Sequence, residues 1–344
     1  MQHWKEGGHD KLCKLIKKAG GAEQYNANKK YAEAVTVAAE ACADDTKGQT
    51  CYICTEALHW KTKEGLVRGC SCRGTAGFAH VSCLEEQAKI LIAKAEENNL
   101  GNDALYEGWA RWHTCSLCEQ DYHGVVACAL GWASWKTYLG RPEMAWCRGA
   151  ALTDLGIGLS GANHHADALV VRVAQLAMHR RLGDSEERIL AAESNLAESY
   201  QALGRFDQAL RVRQEVYSER SKRNGEEHEA TLLAANNYAN SLIGLERYAE
   251  AKAGLRKMMP VARRVLGDCH DLTLSIRWGY AETLYKDDDA TLDDLREAVT
   301  TLEETVPTAR RVFGNTHPEI ATMENVLQDA RAALRAREAP SGSP

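Results

Sequence analysis

Cys51-Tyr-Ile-Cys54, Cys70-Ser-Cys72, His80-Val-Ser-Cys83 and Cys115-Ser-Leu-Cys118 are four close pairs of thiol or imidazole side chains. Seven of the twelve cysteines fall between residues 51 and 118, and each belongs to a pair or stands beside His80. Buried structural thiols do not need separations of one or two residues, whereas a tight loop between two cysteines lets both thiolates reach one metal. Eight such ligands saturate two tetrahedral zinc ions, every position being filled by protein. A closed site lacks the open position of a hydrolytic zinc, so structural zinc is expected and a metallohydrolase is not. The chain contains no Gly-rich phosphate loop, Gly-x-Ser-x-Gly or His-Glu-x-x-His run. The isolated Cys42, Cys128, Cys147 and Cys269 read as small buried hydrophobes.

Composition bounds the partners. The 344 residues have room for two or three domains, and 44% hydrophobic with 26% charged residues is ordinary for a chain with a real core. The net charge of −6 argues against a general nucleic-acid binder, which shows a basic excess. The best apolar run, Gly124 to Trp135, is too short for the ~18–20 residues that span a bilayer, so no membrane partner is expected. Met1-Gln-His-Trp-Lys-Glu has no apolar signal core. Metal-type spacing then places the cysteines in a reducing compartment, the cytosol or nucleus.

The ligand order is four Cys, one His, three Cys, with one residue between Cys70 and Cys72 and seven before His80. This order, and the string Cys70-Ser-Cys72-Arg-Gly-Thr-Ala-Gly-Phe-Ala-His80-Val-Ser-Cys83-Leu, resembles the RING-CH finger over residues 51–118. A PHD finger spaces its third and fourth cysteines further apart. The resemblance implies a cross-brace in which Cys51, Cys54, His80 and Cys83 hold one zinc and Cys70, Cys72, Cys115 and Cys118 the other. It also implies recruitment of a ubiquitin-conjugating enzyme, with Ile53, the apolar residue before the second Cys, touching that enzyme. Trp109 and Trp112 are candidates to extend the docking surface, with core packing as the competing role. Three features depart from the family: 31 residues separate Cys83 from Cys115, Ser116-Leu117 carries no proline, and Glu119 stands where an Arg often follows the last ligand.

From Met144 onward the chain repeats. Gly183, Gly225 and Gly267 are 42 residues apart and Gly314 follows after 47; Ala168, Ala209, Ala251 and Ala298 keep offsets of 41, 42 and 47. The five extra residues fit the polar turn 287–294, where an insertion costs little. A fixed period predicts a solenoid of antiparallel helix pairs: 144–183, 184–225, 226–267 and 268–314, closed by a helix from Pro318 to about Glu338. In the second pair, helices are expected at 193–203 and from 206 to about 223, with Phe206 and Tyr248 plugging the gaps after the turns. These features resemble the tetratricopeptide repeat (TPR). The 42-residue period, Asn236-Asn-Tyr-Ala-Asn-Ser-Leu and Asn315-Thr-His-Pro318 resemble its kinesin-light-chain-type variant. The resemblance implies a concave groove for a protein or peptide substrate, with Asn195 and Asn237 aligned at one repeat position as candidate backbone clamps. Gly279 occupies that position in the next repeat, and solvated polar faces are the competing reading.

The start carries a weaker signal. His9-x3-Cys13 after a His-Trp pair resembles the end of a MYND finger, while an exposed helix start explains the same residues. The Ala-rich stretch 29–43 reads as helix, ended by the polar linker 44–48.

The expected architecture is therefore a small zinc-stabilised α+β RING-like module followed by an all-α helical-repeat solenoid. Its expected segments are 1–48, the finger at 49–123, a connector at 124–143, repeats at 144–338 and a disordered tail at 339–344. The expected function is a ubiquitin-protein ligase whose finger binds the conjugating enzyme and whose repeats bind the substrate. The alternative is a non-enzymatic scaffold with structural zinc.

Overall fold

In the computed structural model, residues 9–314 and 317–339 are described. The His-Trp pair expected to begin a MYND-like end, the His9 side chain and almost all of the expected tail lie outside them. The chain divides into two compact units, Met1–Asp184 and Ser185–Pro344.

The first unit contains α1 (His9–Ala19), α2 (Ala22–Ala41), α3 (Val81–Glu97), α4 (Asn102–Ala110), α5 (Gly124–Tyr138), α6 (Trp146–Gly161) and α7 (His165–Leu182). The Ala-rich helix begins at Ala22, seven residues before the expected start, with Glu23 in its first turn and Gln24 donating to Asn28 one turn on at 3.1 Å. The segment expected as a connector forms α5, which is apolar on nearly every side and is buried accordingly. It packs against α2, α3 and α6. Its contact with α6 is made by glycines on both helices. A Cβ on Gly131 would lie 2.8 Å from the Asp154 carbonyl oxygen, and one on Gly158 would lie 2.5 Å from that of Ala127. Below this crossing Asp154 is buried, accepts from Ser134 Oγ at 3.2 Å and faces His113 Nδ1 at 3.5 Å.

Among the described residues, the β component of the expected α+β module is two isolated antiparallel bridges, Val67–Ala79 and Thr114–Asp121. The loops carrying the ligand pairs spend their backbone groups on tight turns, which leaves too few for a ladder.

The second unit is the repeat array: α8 (Glu186–Ala202), α9 (Phe206–Asn224), α10 (Glu229–Gly244), α11 (Tyr248–Leu266), α12 (Asp271–Lys286), α13 (Leu292–Phe313) and α14 (Pro318–Glu338). α8 starts seven residues before the expected 193, on the acidic first turn Glu186-Glu187. The recurrent glycines are helix stops: Gly225, Gly267 and Gly314 have φ of 81°, 92° and 85°. Three residues after each stop stands a histidine. Nδ1 of His228, His270 and His317 accepts the backbone N–H two residues on, at 3.1–3.3 Å, and caps the next helix. The recurrent alanines Ala209, Ala251 and Ala298 are wholly buried. Phe206 lies against Gly244, where a Cβ would meet its ring at 2.5 Å. The paired arginines in the last turns of α11 and α13 bridge segments: Arg264 to Glu227 at 2.6 Å, Arg263 to Asp268 at 2.6 Å and Arg310 Nε to Glu324 at 2.9 Å.

The same substitution should act with opposite sign in the two units. Gly158→Ala forces α5 and α6 apart and should destabilise the first unit by about 1–3 kcal/mol. Gly254→Ala, in mid-α11 with open space at its Cβ, should stabilise the second by about 0.5–1 kcal/mol. Denaturant titrations of both variants read the two effects.

Candidate metal centres

Two loops present the cysteine pairs on the same turn. In the first, Cys51 N–H donates to the Glu56 carbonyl at 3.0 Å, Thr55 N–H to the Cys51 carbonyl at 2.8 Å, and Ile53 N–H to Cys51 Sγ at 3.4 Å. In the second, Cys115 N–H donates to Gln120 at 3.0 Å, Glu119 N–H to Cys115 at 3.0 Å, and Leu117 N–H to Cys115 Sγ at 3.5 Å. Thr55 and Glu119 close the two turns at φ of 65° and 55°. Backbone N–H groups aimed at sulfur favour the thiolate that a metal requires. Tyr52 Oη and Ser116 Oγ, 3.1 Å apart, link the knuckles directly.

The structure brings Cys51, Cys54, His80 and Cys83 into one cluster and Cys70, Cys72, Cys115 and Cys118 into another; within each, the candidate ligand atoms lie within 4.8 Å of one another. Tetrahedral zinc, with bonds of about 2.3 Å to sulfur and 2.0–2.1 Å to nitrogen, would hold sulfurs about 3.8 Å apart and sulfur about 3.6 Å from nitrogen. His80 Nδ1 lies 3.4 Å from Cys54 Sγ and 3.6 Å from Cys83 Sγ, and the Cys72 and Cys115 sulfurs are 3.8 Å apart. The donor sets therefore fit zinc, each as a closed four-ligand site. His80 Nε2 faces the Ala57 carbonyl at 3.4 Å, which leaves Nδ1 as the ligand atom, and burial lowers its pKa and keeps the ring neutral.

The thiols respond to one another's proximity. A hydrogen bond from Cys70 draws the Cys115 thiol down to about 4 and pushes Cys70 up. Burial pushes Cys72 up to about 12 and also raises Cys83. Gly77, at φ 83°, lets the second loop turn inward: a Cβ there would sit 2.5 Å from Cys72 Cβ and 2.9 Å from its sulfur.

His59 was not singled out by the sequence, yet it opens a third turn of the same form. Its N–H donates to Glu64 at 3.0 Å, Lys63 N–H donates back at 2.9 Å with φ of 60°, and Thr62 N–H reaches His59 Nδ1 at 3.2 Å. The ring packs edge-on to His80 at 5.3 Å. The missed signal is His59-x2-Thr62, a knuckle spacing with neither residue a cysteine.

The candidate partner residues separate. Ile53 is 37% exposed and Leu117, its counterpart in the second knuckle, 51%. Trp109 and Trp112 are buried against Tyr138, and Trp109 also against Trp146, so the expectation that they extend a docking surface is corrected to core packing. Leu58 and Trp60, unremarked in the sequence, are exposed.

In the repeat unit, Asn195 and Asn237 are half-buried. The polar depression across α8, α10 and α12 is lined instead by residues that include Gln201, Asn240, Ser275, Trp278 and Glu282. Behind it lies Arg213, buried at the register of Leu255. Its guanidinium donates to Gln201, to the Asn237 carbonyl at 2.8 Å and to Ser241 Oγ at 3.0 Å, and burial lowers its pKa to about 10.

Metal analysis is expected to return about two zinc ions per chain, with chelation unfolding the finger while sparing most of the helical circular dichroism. Gly77→Ala should cut the metal content by about half, since it disturbs one of the two closed sites.

The RING-variant domain family matches residues 51–100, and the tetratricopeptide repeat family matches residues 188–257. The first match ends before Cys115 and Cys118, which α3 and α4 displace along the chain. No curated protein matches the chain. Among solved structures, a kinesin-light-chain-type set of nearly identical TPR-like repeats from Podosopora anserina is 17% identical, with a TM-score of 0.42, covering 67% of this chain and 97% of that one. BtubC from P. vanneervenii is 14% identical, with a TM-score of 0.42, covering 76% and 94%. The chain thus carries a RING-like Cys/His module followed by an all-helical, TPR-like repeat array.

Proposed function

We propose that the chain is a RING-CH-type ubiquitin-protein ligase, binding two zinc ions in residues 49–123 and substrate proteins through repeats at 144–338. Its finger recruits a ubiquitin-conjugating enzyme and holds the loaded thioester for attack by a substrate lysine, doing no covalent chemistry itself. The observation that carries this reading is the exposed Ile53–Leu117 pair. Two rigid knuckles of the same turn, joined through Tyr52 and Ser116, each present one large apolar side chain to solvent. Isolated exposed apolar residues are ordinary, but two on metal-braced turns make a preorganised contact. The depression lined by Gln201, Asn240 and Ser275 offers amide and hydroxyl groups to an extended substrate segment. No helix among the described residues is long and apolar enough to cross a membrane, and a reducing cytosol or nucleus suits eight metal-type ligands. Cys13 on α1 fits the end of a MYND-like finger whose other ligands would come from outside this stretch.

The scaffold reading is favoured by one residue. Glu119 is exposed beside the second knuckle, where a cation would support the transferring thioester.

Ubiquitination assays with a panel of conjugating enzymes should give chains that Cys51→Ala abolishes. Ile53→Ala and Leu117→Ala should each lower the rate about tenfold or more at unchanged zinc content, corresponding to ~1.4 kcal/mol or more of lost contact. Glu119→Arg should raise it. Activity in no enzyme of the panel, for wild type and Glu119→Arg alike, would leave the scaffold reading standing.

A further inference from the structure

The groove between α9 and α11, floored by α10, is closed differently from the next groove along the array. Leu232, Ala235 and Ala239 on α10 and Gly254 and Met258 on α11 line a cavity of about 130 Å³, with Tyr217 and Tyr238 beside them. The three α10 residues are buried, while Gly254 and Lys257 at the mouth are exposed. The repeat register explains the space. In the next groove Ala235 and Lys257 are matched by Arg277, 42 residues on, and Glu304, 47 residues on, whose side chains pair across the groove at 2.7 Å. Tyr280 and Glu297, which match Tyr238 and Glu250, add a second link at 3.0 Å. Here Ala235 is too short to cross. Glu250 is turned to Arg247 at 2.7 Å, and Lys257 to Glu226 at 3.2 Å. Gly254 stands where α9 has Val212 and α13 has Thr301. A mid-helix glycine and an unfilled apolar cavity each cost stability, and both costs fall at this one place.

We propose that this cavity binds a small uncharged aromatic molecule, a single ring of benzene size with at most a short substituent. Volume sets the size, since an apolar cavity of about 150 Å³ holds one benzene molecule. The ion pairs at the mouth set the charge. Glu226, Glu250 and Lys257 already have partners, so a charged ring would lose its water against apolar walls and gain no counter-ion. The walls favour an aromatic ring over an aliphatic one. Tyr217 and Tyr238 lie nearly parallel, at 17° with centroids 6.3 Å apart, and Met258 adds a thioether. A seated aromatic ring gains quadrupole contacts with the tyrosines and a sulfur contact, neither of which an aliphatic ring makes. It also supplies the packing that Arg277 supplies in the next groove, so binding stabilises the second unit. For a ring of seven heavy atoms a Kd on the order of 0.1–1 mM is expected. The cavity shares no residue with the depression lined by Gln201, Asn240 and Ser275.

Toluene titrated into the full chain tests it, read by NMR of isotope-labelled methionine methyl groups. The Met258 methyl, assigned by its loss in Met258→Leu, should shift with toluene, while that of Met323, packed among Leu274, Val306 and Ile320, stays in place. Gly254→Val gives α11 the side chain that α9 carries at this position; it should weaken binding roughly tenfold or more and raise the melting temperature. Gly254→Ala leaves most of the space and should weaken binding less. Cyclohexane should bind more weakly than toluene, and benzoate should leave Met258 unmoved. A Met258 signal that saturating toluene does not move overturns the proposal, as does an affinity unchanged in both glycine variants. An equal response to cyclohexane overturns the aromatic class, and a response to benzoate overturns the uncharged one. None of these readouts involves ubiquitin transfer, so the outcome is independent of the ligase reading.

Discussion

Four soft ligands cannot be crowded within 4.8 Å of one another without something to hold them there. Thiols at that spacing hydrogen-bond among themselves and shift one another's protonation, as Cys70 and Cys115 do, and gain little from it. A dication converts the same crowding into binding free energy, on the order of 10 kcal/mol or more for a structural zinc site. Such a gain would organise a module which, among the described residues, has two isolated bridges and no sheet. The knuckle turns, the inward bend at Gly77 and the Tyr52–Ser116 link all serve the convergence of the ligands. The exposed placement of Ile53 and Leu117 goes with the same turns, in which the residue before the second cysteine of each pair points away from the cluster.

The module does not stand by itself within the first unit. α2 and α5 bury Val35, Ala38, Val126 and Leu130 in the same core as Cys51, Cys70 and Cys115. Tyr31 on α2 reaches Ser82 at 3.3 Å, and Glu64 accepts from Ser82 N–H at 2.7 Å, near the start of α3. The helices thus supply the apolar burial that a short metal-braced loop region lacks.

Much of this was legible in the sequence because it is written in spacing. Paired cysteines are local, and a 42-residue period survives any ignorance of packing. The helix stops at Gly225 and Gly267 and the buried Ala209 and Ala251 could be placed by counting alone. What was not legible depended on which side of an element faces the core. Trp109 and Trp112 carry the same letters whether they dock a partner or pack on Tyr138. The α5 segment reads as an apolar connector until α2, α3 and α6 are seen around it. His228, His270 and His317 recur at the repeat spacing, but a histidine is an uncommon cap and the pattern carries no obvious signal until the Nδ1 contact is seen. Asn237 was singled out for its side chain, whereas its carbonyl is what Arg213 uses.

Arg213 also makes the repeats unequal. In α11 and α13 the equivalent positions hold Leu255 and Leu302, both fully buried, so the second unit has two apolar plugs and one cationic plug, while α7 of the first unit holds another buried cation, Arg172, at the same register. The cation is tolerable only between helices that carry Gln201, the Asn237 carbonyl and Ser241. Against α14, whose matching positions are Val326 and Ala330, both buried, it would lose the side-chain acceptor on that helix. The array therefore has an order as well as a period: its units share a shape but are not interchangeable bricks, and the position of each is recorded in the chemistry of its seams.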